Sequence, residues 1–114
     1  MNKADVQKWL GKLRQAWINA DLDAVRDIFQ KTESYYETPF SAAVSGEGIW
    51  DLWRETKKGD LDYLDYEIIA LEDNKAVINE RFSWHGMKRD GIYLLKFDQE
   101  GFCTFFKRWK VVLS

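Results

Sequence analysis

Apolar residues near the start of the chain recur at Val6, Leu10, Leu13, Trp17 and Ala20, the spacing of one helical face, and Trp9 and Ala16 widen the stripe. The pattern predicts a helix from Ala4 to about Asn19. Ala20-Asp21 breaks it, and Asp21 is placed to cap a second, shorter helix carrying Leu22, Val25, Ile28 and Phe29. Asp21 and Asp23 therefore read as helix-start residues rather than catalytic ones, because carboxylates offset the positive N-terminal end of a helix. Ser34-Tyr35-Tyr36-Glu37 is a short extended piece, stopped by Pro39, the single proline. Ser45-Gly46-Glu47-Gly48 then signals a third helix, about Gly46 to Lys58, with Ser45 as its cap, with Ile49, Trp50 and Trp53 inward and with Leu52 as a further candidate for that face. Gly59-Asp60 ends it.

The rest of the chain reads as strands. One runs from Tyr63 to Leu71, and Glu72-Asp73-Asn74-Lys75 turns it into the stretch Ala76 to Val112, three consecutive strands on two tight turns. The first turn is His85-Gly86, a two-residue loop whose glycine takes positive φ at no steric cost. The second is Asp98-Gln99-Glu100-Gly101, where Gly101 suits a left-handed bulge position. Pairing about His85-Gly86 sets Trp84 opposite Met87, Phe82 opposite Arg89, Glu80 opposite Gly91 and Ile78 opposite Tyr93. One face then carries Ile78, Glu80, Phe82, Trp84, Arg89, Gly91, Tyr93 and Leu95. The other carries Val77, Asn79, Arg81, Ser83, Lys88, Asp90, Ile92 and Leu94, with Arg81 opposite Asp90. Apolar groups on both faces call for cover on both, helices on one side and a partner chain on the other. In the last strand, Phe102, Thr104, Phe106 and Arg108 alternate with Cys103, Phe105, Lys107, Trp109 and Val111. A bulge at Gly101 would exchange the two sets, and the second is assigned to the outer face. Helices gathered before an antiparallel sheet make the fold class α+β.

Composition narrows the possibilities. The 114 residues suffice for one domain with its own core. Hydrophobic residues make up 46% and aromatics 16%, with six Trp, which excludes disorder and makes large rings the main packing units. The net charge of −2 offers no electrostatic attraction to nucleic acid or to an anionic membrane. No apolar run approaches the ~20 residues a membrane span needs, and no leader-like segment opens the chain, so a cytoplasmic location is expected. The one cysteine, Cys103, reads as a small apolar filler in a reducing compartment.

Glu80 is the leading candidate for chemistry, since a carboxylate among Ile78, Phe82, Trp84 and Tyr93 has a raised pKa unless paired. Arg89 lies diagonally across and is the expected partner. Glu80 can be a general acid or base with Tyr93 orienting a substrate oxygen, or half of a structural ion pair with Arg89. Alternation separates Tyr36 from Tyr35 and Glu37 without deciding which faces inward. Asp65, Glu67 and Glu80 lack the spacing of a metal site, and no phosphate loop or nucleophile motif occurs, so neither metal nor cofactor is expected.

Several motifs carry a resemblance: Asn19-Ala20-Asp21-Leu22-Asp23-Ala24-Val25, Tyr36-Glu37-Thr38-Pro39-Phe40, Gly46-Glu47-Gly48-Ile49-Trp50-Asp51-Leu52-Trp53, and Asp90-Gly91-Ile92-Tyr93-Leu94-Leu95-Lys96-Phe97-Asp98 with Gly101. In this order the chain resembles the nuclear transport factor 2-like superfamily, in its SnoaL-like branch of polyketide cyclases and ketosteroid isomerase relatives. The resemblance implies a single SnoaL-like domain over residues 1–114. Its shape would be a cone, a curved antiparallel sheet wrapped on three N-terminal helices, also termed cystatin-like. A pocket would lie in the concave face, and a homodimer would form through the convex face, with Phe105 and Trp109 as anchors. The family's catalytic residues do not carry over: Thr38 stands at the isomerase base, Leu13 at the first-helix tyrosine and Tyr93 at the strand carboxylic acid. The cyclases' histidine has only His85 as counterpart, in the hairpin turn. The expectation is a binding protein for an apolar or aromatic small molecule, held by Tyr36, Trp53, Ile78, Phe82, Trp84, Arg89 and Phe106. The alternatives are an isomerase, cyclase or dehydratase using Glu80 and Tyr93, and a dimeric protein-interaction module.

Overall fold

The computed structural model describes residues 1–113, and the side chains of residues 1–110. Helix α1, Lys3–Ile18, starts on a reciprocal cap in which the Asn2 side chain accepts from the Asp5 amide and Asp5 accepts from that of Asn2. Its apolar stripe turns Val6, Trp9, Leu10, Leu13, Ala16 and Trp17 into the core. Helix α2, Leu22–Ile28, is capped by Asp21, whose carboxylate accepts from the Ala24 amide. Helix α3, Glu47–Trp53, is shorter than the sequence pattern suggests. Gly46, at φ 52°, takes its cap position without a side-chain hydrogen bond, so Ser45 is not the cap.

Five strands follow one another across a single sheet in the order β1-β5-β4-β3-β2. Their ranges are β1 Ser34–Tyr36, β2 Leu61–Glu72, β3 Lys75–Trp84, β4 Met87–Phe97 and β5 Cys103–Leu113. The four long strands are antiparallel neighbours, whereas β1 lies parallel to β5, with Tyr35 opposite Phe106. The β3–β4 register is the one the hairpin pattern predicts, including Phe82 opposite Arg89, Glu80 opposite Gly91 and Ile78 opposite Tyr93. His85 and Gly86 both take positive φ, 50° and 77°, the mirror-image turn whose twist suits a two-residue hairpin. On the outer face Arg81 meets Asp90 at 3.6 Å.

Irregularities in β2 between Ile68 and Ala70, and in β5 opposite Lys96 and Phe97, add local twist and curl the sheet around α1. The second corrects one sequence expectation. Thr104 is the extra residue, so Cys103 and Phe106 both point inward although three apart, and Cys103 does not join the outer set. Burial pushes its thiol up to about 12. Phe105, Lys107 and Trp109 do face outward, while the Val111 side chain lies outside the described residues. These outer rings are partly covered within the chain: Lys96 stands 4.8 Å over Phe105, and Lys107 lies 5.1 Å from Trp109 and 5.0 Å from Tyr36.

The main core lies between the concave sheet face and the helices. Trp9 meets Phe29 and Phe97 edge-on, and Tyr35 stacks on Phe106 at 4.7 Å. A smaller cluster of Trp17, Leu64 and Phe82 closes the other end of α1. No helix among the described residues is long and apolar enough to cross a membrane.

Candidate functional site

Three strands aim polar side chains into the concave face between those clusters. Glu80 projects from β3, Tyr93 from β4 and Arg108 from β5, where Tyr93 is the direct cross-strand neighbour of Arg108. Arg108 grips Glu80 through two parallel hydrogen bonds, Nε to Oε2 at 2.9 Å and Nη2 to Oε1 at 2.7 Å. Tyr93 adds a third, its hydroxyl donating to Oε1 at 2.5 Å. The remaining Arg108 nitrogen, Nη1, donates to Glu37 Oε1 at 3.0 Å. Tyr35 donates to Glu37 Oε2 at 2.8 Å, and Trp53 Nε1 donates to the Tyr35 hydroxyl at 3.0 Å. The guanidinium also faces the rings of Trp17, Phe82 and Tyr93, with its carbon 4.9, 5.3 and 5.7 Å from their centroids.

Burial makes this network matter. Glu80 is fully enclosed and Arg108 only 4% exposed, so each charge is tolerated because the other is there. The pairing holds Arg108 firmly protonated, its basicity raised chiefly by Glu80 against the opposing effect of burial. Burial first, and then nearby carboxylates, raise the phenols of Tyr35, Tyr66 and Tyr93 well above the ordinary tyrosine range. All three are held neutral in the fold. Their contribution to stability is complete below the ordinary tyrosine pKa of about 10 and is lost as pH rises above it, because only the unfolded chain then ionises readily. Spectrophotometric titration is expected to show three of the five tyrosines ionising only together with loss of the fold, above pH ~10. Ionisation of all five in a still-folded protein would contradict this burial.

Beside the network opens a cavity of about 290 Å³. Trp17, Trp53, Phe82 and Trp84 form its apolar walls; Glu37, Arg89, Arg108 and Lys110 supply charge, with Leu52, Glu55 and Thr56 completing the lining. Among the residues predicted from sequence, Trp53, Phe82, Trp84 and Arg89 meet here. Ile78 and Phe106 are fully packed in the core instead, and Glu80 with Tyr93 sits beneath the cavity rather than in its wall. Tyr36 is a correction: alternation along β1 turns Tyr35 and Glu37 inward and lays Tyr36 against Phe105 on the outer face. The partner of Glu80 is corrected as well, from Arg89 to Arg108. Phe82, opposite Arg89, is one of the rings that Arg108 faces, and Arg108 rises from β5 between Glu37 and Glu80. His85 stays at the hairpin tip, mostly exposed, bonding Asp60 at 2.9 Å.

Trp17, Glu37, Leu52, Glu55, Thr56, Arg108 and Lys110 are the lining residues that sequence reasoning did not assign to the site. The signal for Arg108 was an arginine alternating with Phe106 in an apolar strand, masked by the uncertain bulge. Asp65 and Glu67 are exposed, and among the described residues no three metal-ligating side chains gather. A larger groove, about 880 Å³, runs outside α1 and α2 past Lys8, Lys12, Gln15 and Asp27, away from the concave face.

The fold is that of the nuclear transport factor 2-like proteins. An NTF-2-like protein of unknown function from Burkholderia xenovorans LB400 superposes with a TM-score of 0.74 at 18% identity, covering 100% of this chain and 88% of the other. A SnoaL-like protein of unknown function from Burkholderia thailandensis covers 100% and 99%, at 16% identity and a TM-score of 0.69. A steroid delta-isomerase from Pseudomonas aeruginosa covers 96% and 81%, at 14% identity and a TM-score of 0.68. Identities this low speak for a common architecture and leave each site to be argued from its own residues. No protein-family model matches the sequence, and no curated protein matches it.

Proposed function

We propose that this protein binds a small aromatic molecule in the cavity walled by Trp17, Trp53, Phe82 and Trp84. One observation carries the reading: the buried carboxylate that could have served as acid or base is sealed away from the cavity. Glu80 accepts three hydrogen bonds from Arg108 and Tyr93 and is fully enclosed, whereas a general base must reach the proton it takes. The rings offer flat apolar walls and the lining charges fix orientation, the usual division of labour in a ligand pocket. The free buried thiol of Cys103 suits a cytoplasmic setting.

Calorimetric titration with indole and 2-naphthamide, neutral aromatic probes, tests it. The expected result is saturable one-to-one binding that Thr56→Trp, which fills the cavity from its rim, weakens about tenfold or more. Equal binding by the filled variant, or none by the wild type, would overturn the assignment.

A second reading, a self-associating module, rests on the convex face. Trp109 remains 37% exposed there beside Phe40, which is almost wholly uncovered. A second copy is its proposed occupant.

A further inference from the structure

Three cations line the cavity, Arg89, Arg108 and Lys110, and they are unevenly paired. Arg108 is matched by Glu80 and Glu37, but among the described residues no carboxylate lies within ion-pair distance of Arg89 or Lys110. The two are diagonal neighbours on the concave face: Lys110 pairs with Gly91, two residues along β4 from Arg89. Arg89 Nε is enclosed, yet among the described residues nothing accepts its hydrogen bond. The Lys110 ammonium is held below its ordinary basicity, chiefly by partial burial and then by the like charge of Arg108, with Arg89 adding to this and the carboxylates of Glu37 and Glu80 opposing it. An orphaned guanidinium donor and a repelled ammonium at one cavity are both relieved by an anion between them.

We infer that the aromatic ligand carries a carboxylate, held by Arg89 and Lys110 while its ring lies among Trp17, Trp53 and Trp84. This rests on the binding reading above and adds the chemical class. A planar guanidinium offers paired donors that match a carboxylate, and the ammonium completes the charge balance. Among the described residues, the acidic side chains of the lining stand outside ion-pair distance of Arg89 and Lys110. Both Glu37 oxygens are taken, by Arg108 and Tyr35, and Glu55 is an exposed residue beyond the end of α3. Two unmatched cations, one weakened, suit a single negative charge better than a polyanion.

The test titrates 2-naphthoate and 2-naphthamide, isosteric acid and amide, into wild type, Arg89→Gln, Arg89→Lys and Lys110→Gln, each first checked for an unchanged melting transition. The wild type is expected to prefer the acid by about tenfold or more, with the preference shrinking at high salt. Arg89→Gln is expected to abolish that preference while amide binding persists, and Arg89→Lys to restore part of it. Equal affinity for acid and amide, or an acid preference that survives Arg89→Gln, would overturn the carboxylate assignment and leave the aromatic cavity standing. Absence of binding by both probes would overturn both.

Discussion

Arg108→Leu is expected to lower the unfolding free energy by about 3–5 kcal/mol, the usual consequence of removing one partner from a buried ion pair. The change strands Glu80, which has no contact with water, and takes from Glu37 its only ion-pair partner among the described residues. A domain of this size has about 5–15 kcal/mol to lose, so the variant should be marginal at room temperature. Urea denaturation followed by tryptophan fluorescence measures it, and the comparison with Glu80→Leu identifies the cause. Loss of Glu80 still leaves Arg108 paired with Glu37 at 3.0 Å, so the single carboxylate variant should suffer less than the arginine variant. The double replacement Glu80→Leu/Arg108→Leu should recover part of the Arg108→Leu loss, because no buried charge is then left alone. Equal losses for the two single variants would mean that packing against Trp17 and Phe82, and not charge, sets the effect.

Gly91→Ala is expected to destabilise by about 3 kcal/mol, the upper end of the usual cost of overpacking, although it adds one methyl group to a strand. Gly91 lies opposite Glu80 and Lys110, at the point where β4 passes beneath the ion pair. A methyl group there would drive into the Trp109 carbonyl oxygen, closer than any real Cβ approaches, and come within 3.1 Å of both Glu80 Oε2 and the Lys110 Cβ. A backbone carbonyl cannot swing aside as a side-chain end does, so the strands must part. Gly11→Ala is the natural contrast, since nothing lies within 4 Å of its added carbon in α1, and helix propensity then favours alanine by about 1 kcal/mol. Thermal melts of the two variants should move in opposite directions.

Much of this architecture is legible in the chain because its signals are local. The 3.6-residue stripe of α1, the Asp21 cap and the His85-Gly86 turn each involve residues close in sequence, and the turn alone sets the β3–β4 register. What stayed hidden depends on single-residue offsets and distant pairings. The extra residue at Thr104 puts Cys103 on the core face together with Phe106 and Arg108, and no composition rule locates such an irregularity. Pairing of β1 with β5 turns Glu37 inward, and three residues of strand pattern cannot announce which neighbour they will find. The sequence therefore pointed to Arg89 as the partner of Glu80, where the fold supplies Arg108.

The parallel contact of β1 with β5 also has a kinetic meaning. Glu37 and Arg108 are separated by 71 positions, yet the wall of the cavity exists only when they meet. The β2–β3–β4 meander can zip from its tight turns, whereas β1 must wait for β5 to be laid down before it has an edge to join. Closing so long a loop is entropically costly and gains little until the strands dock. The cavity should thus be among the last parts of the molecule to assemble, and the first to open when the fold loosens.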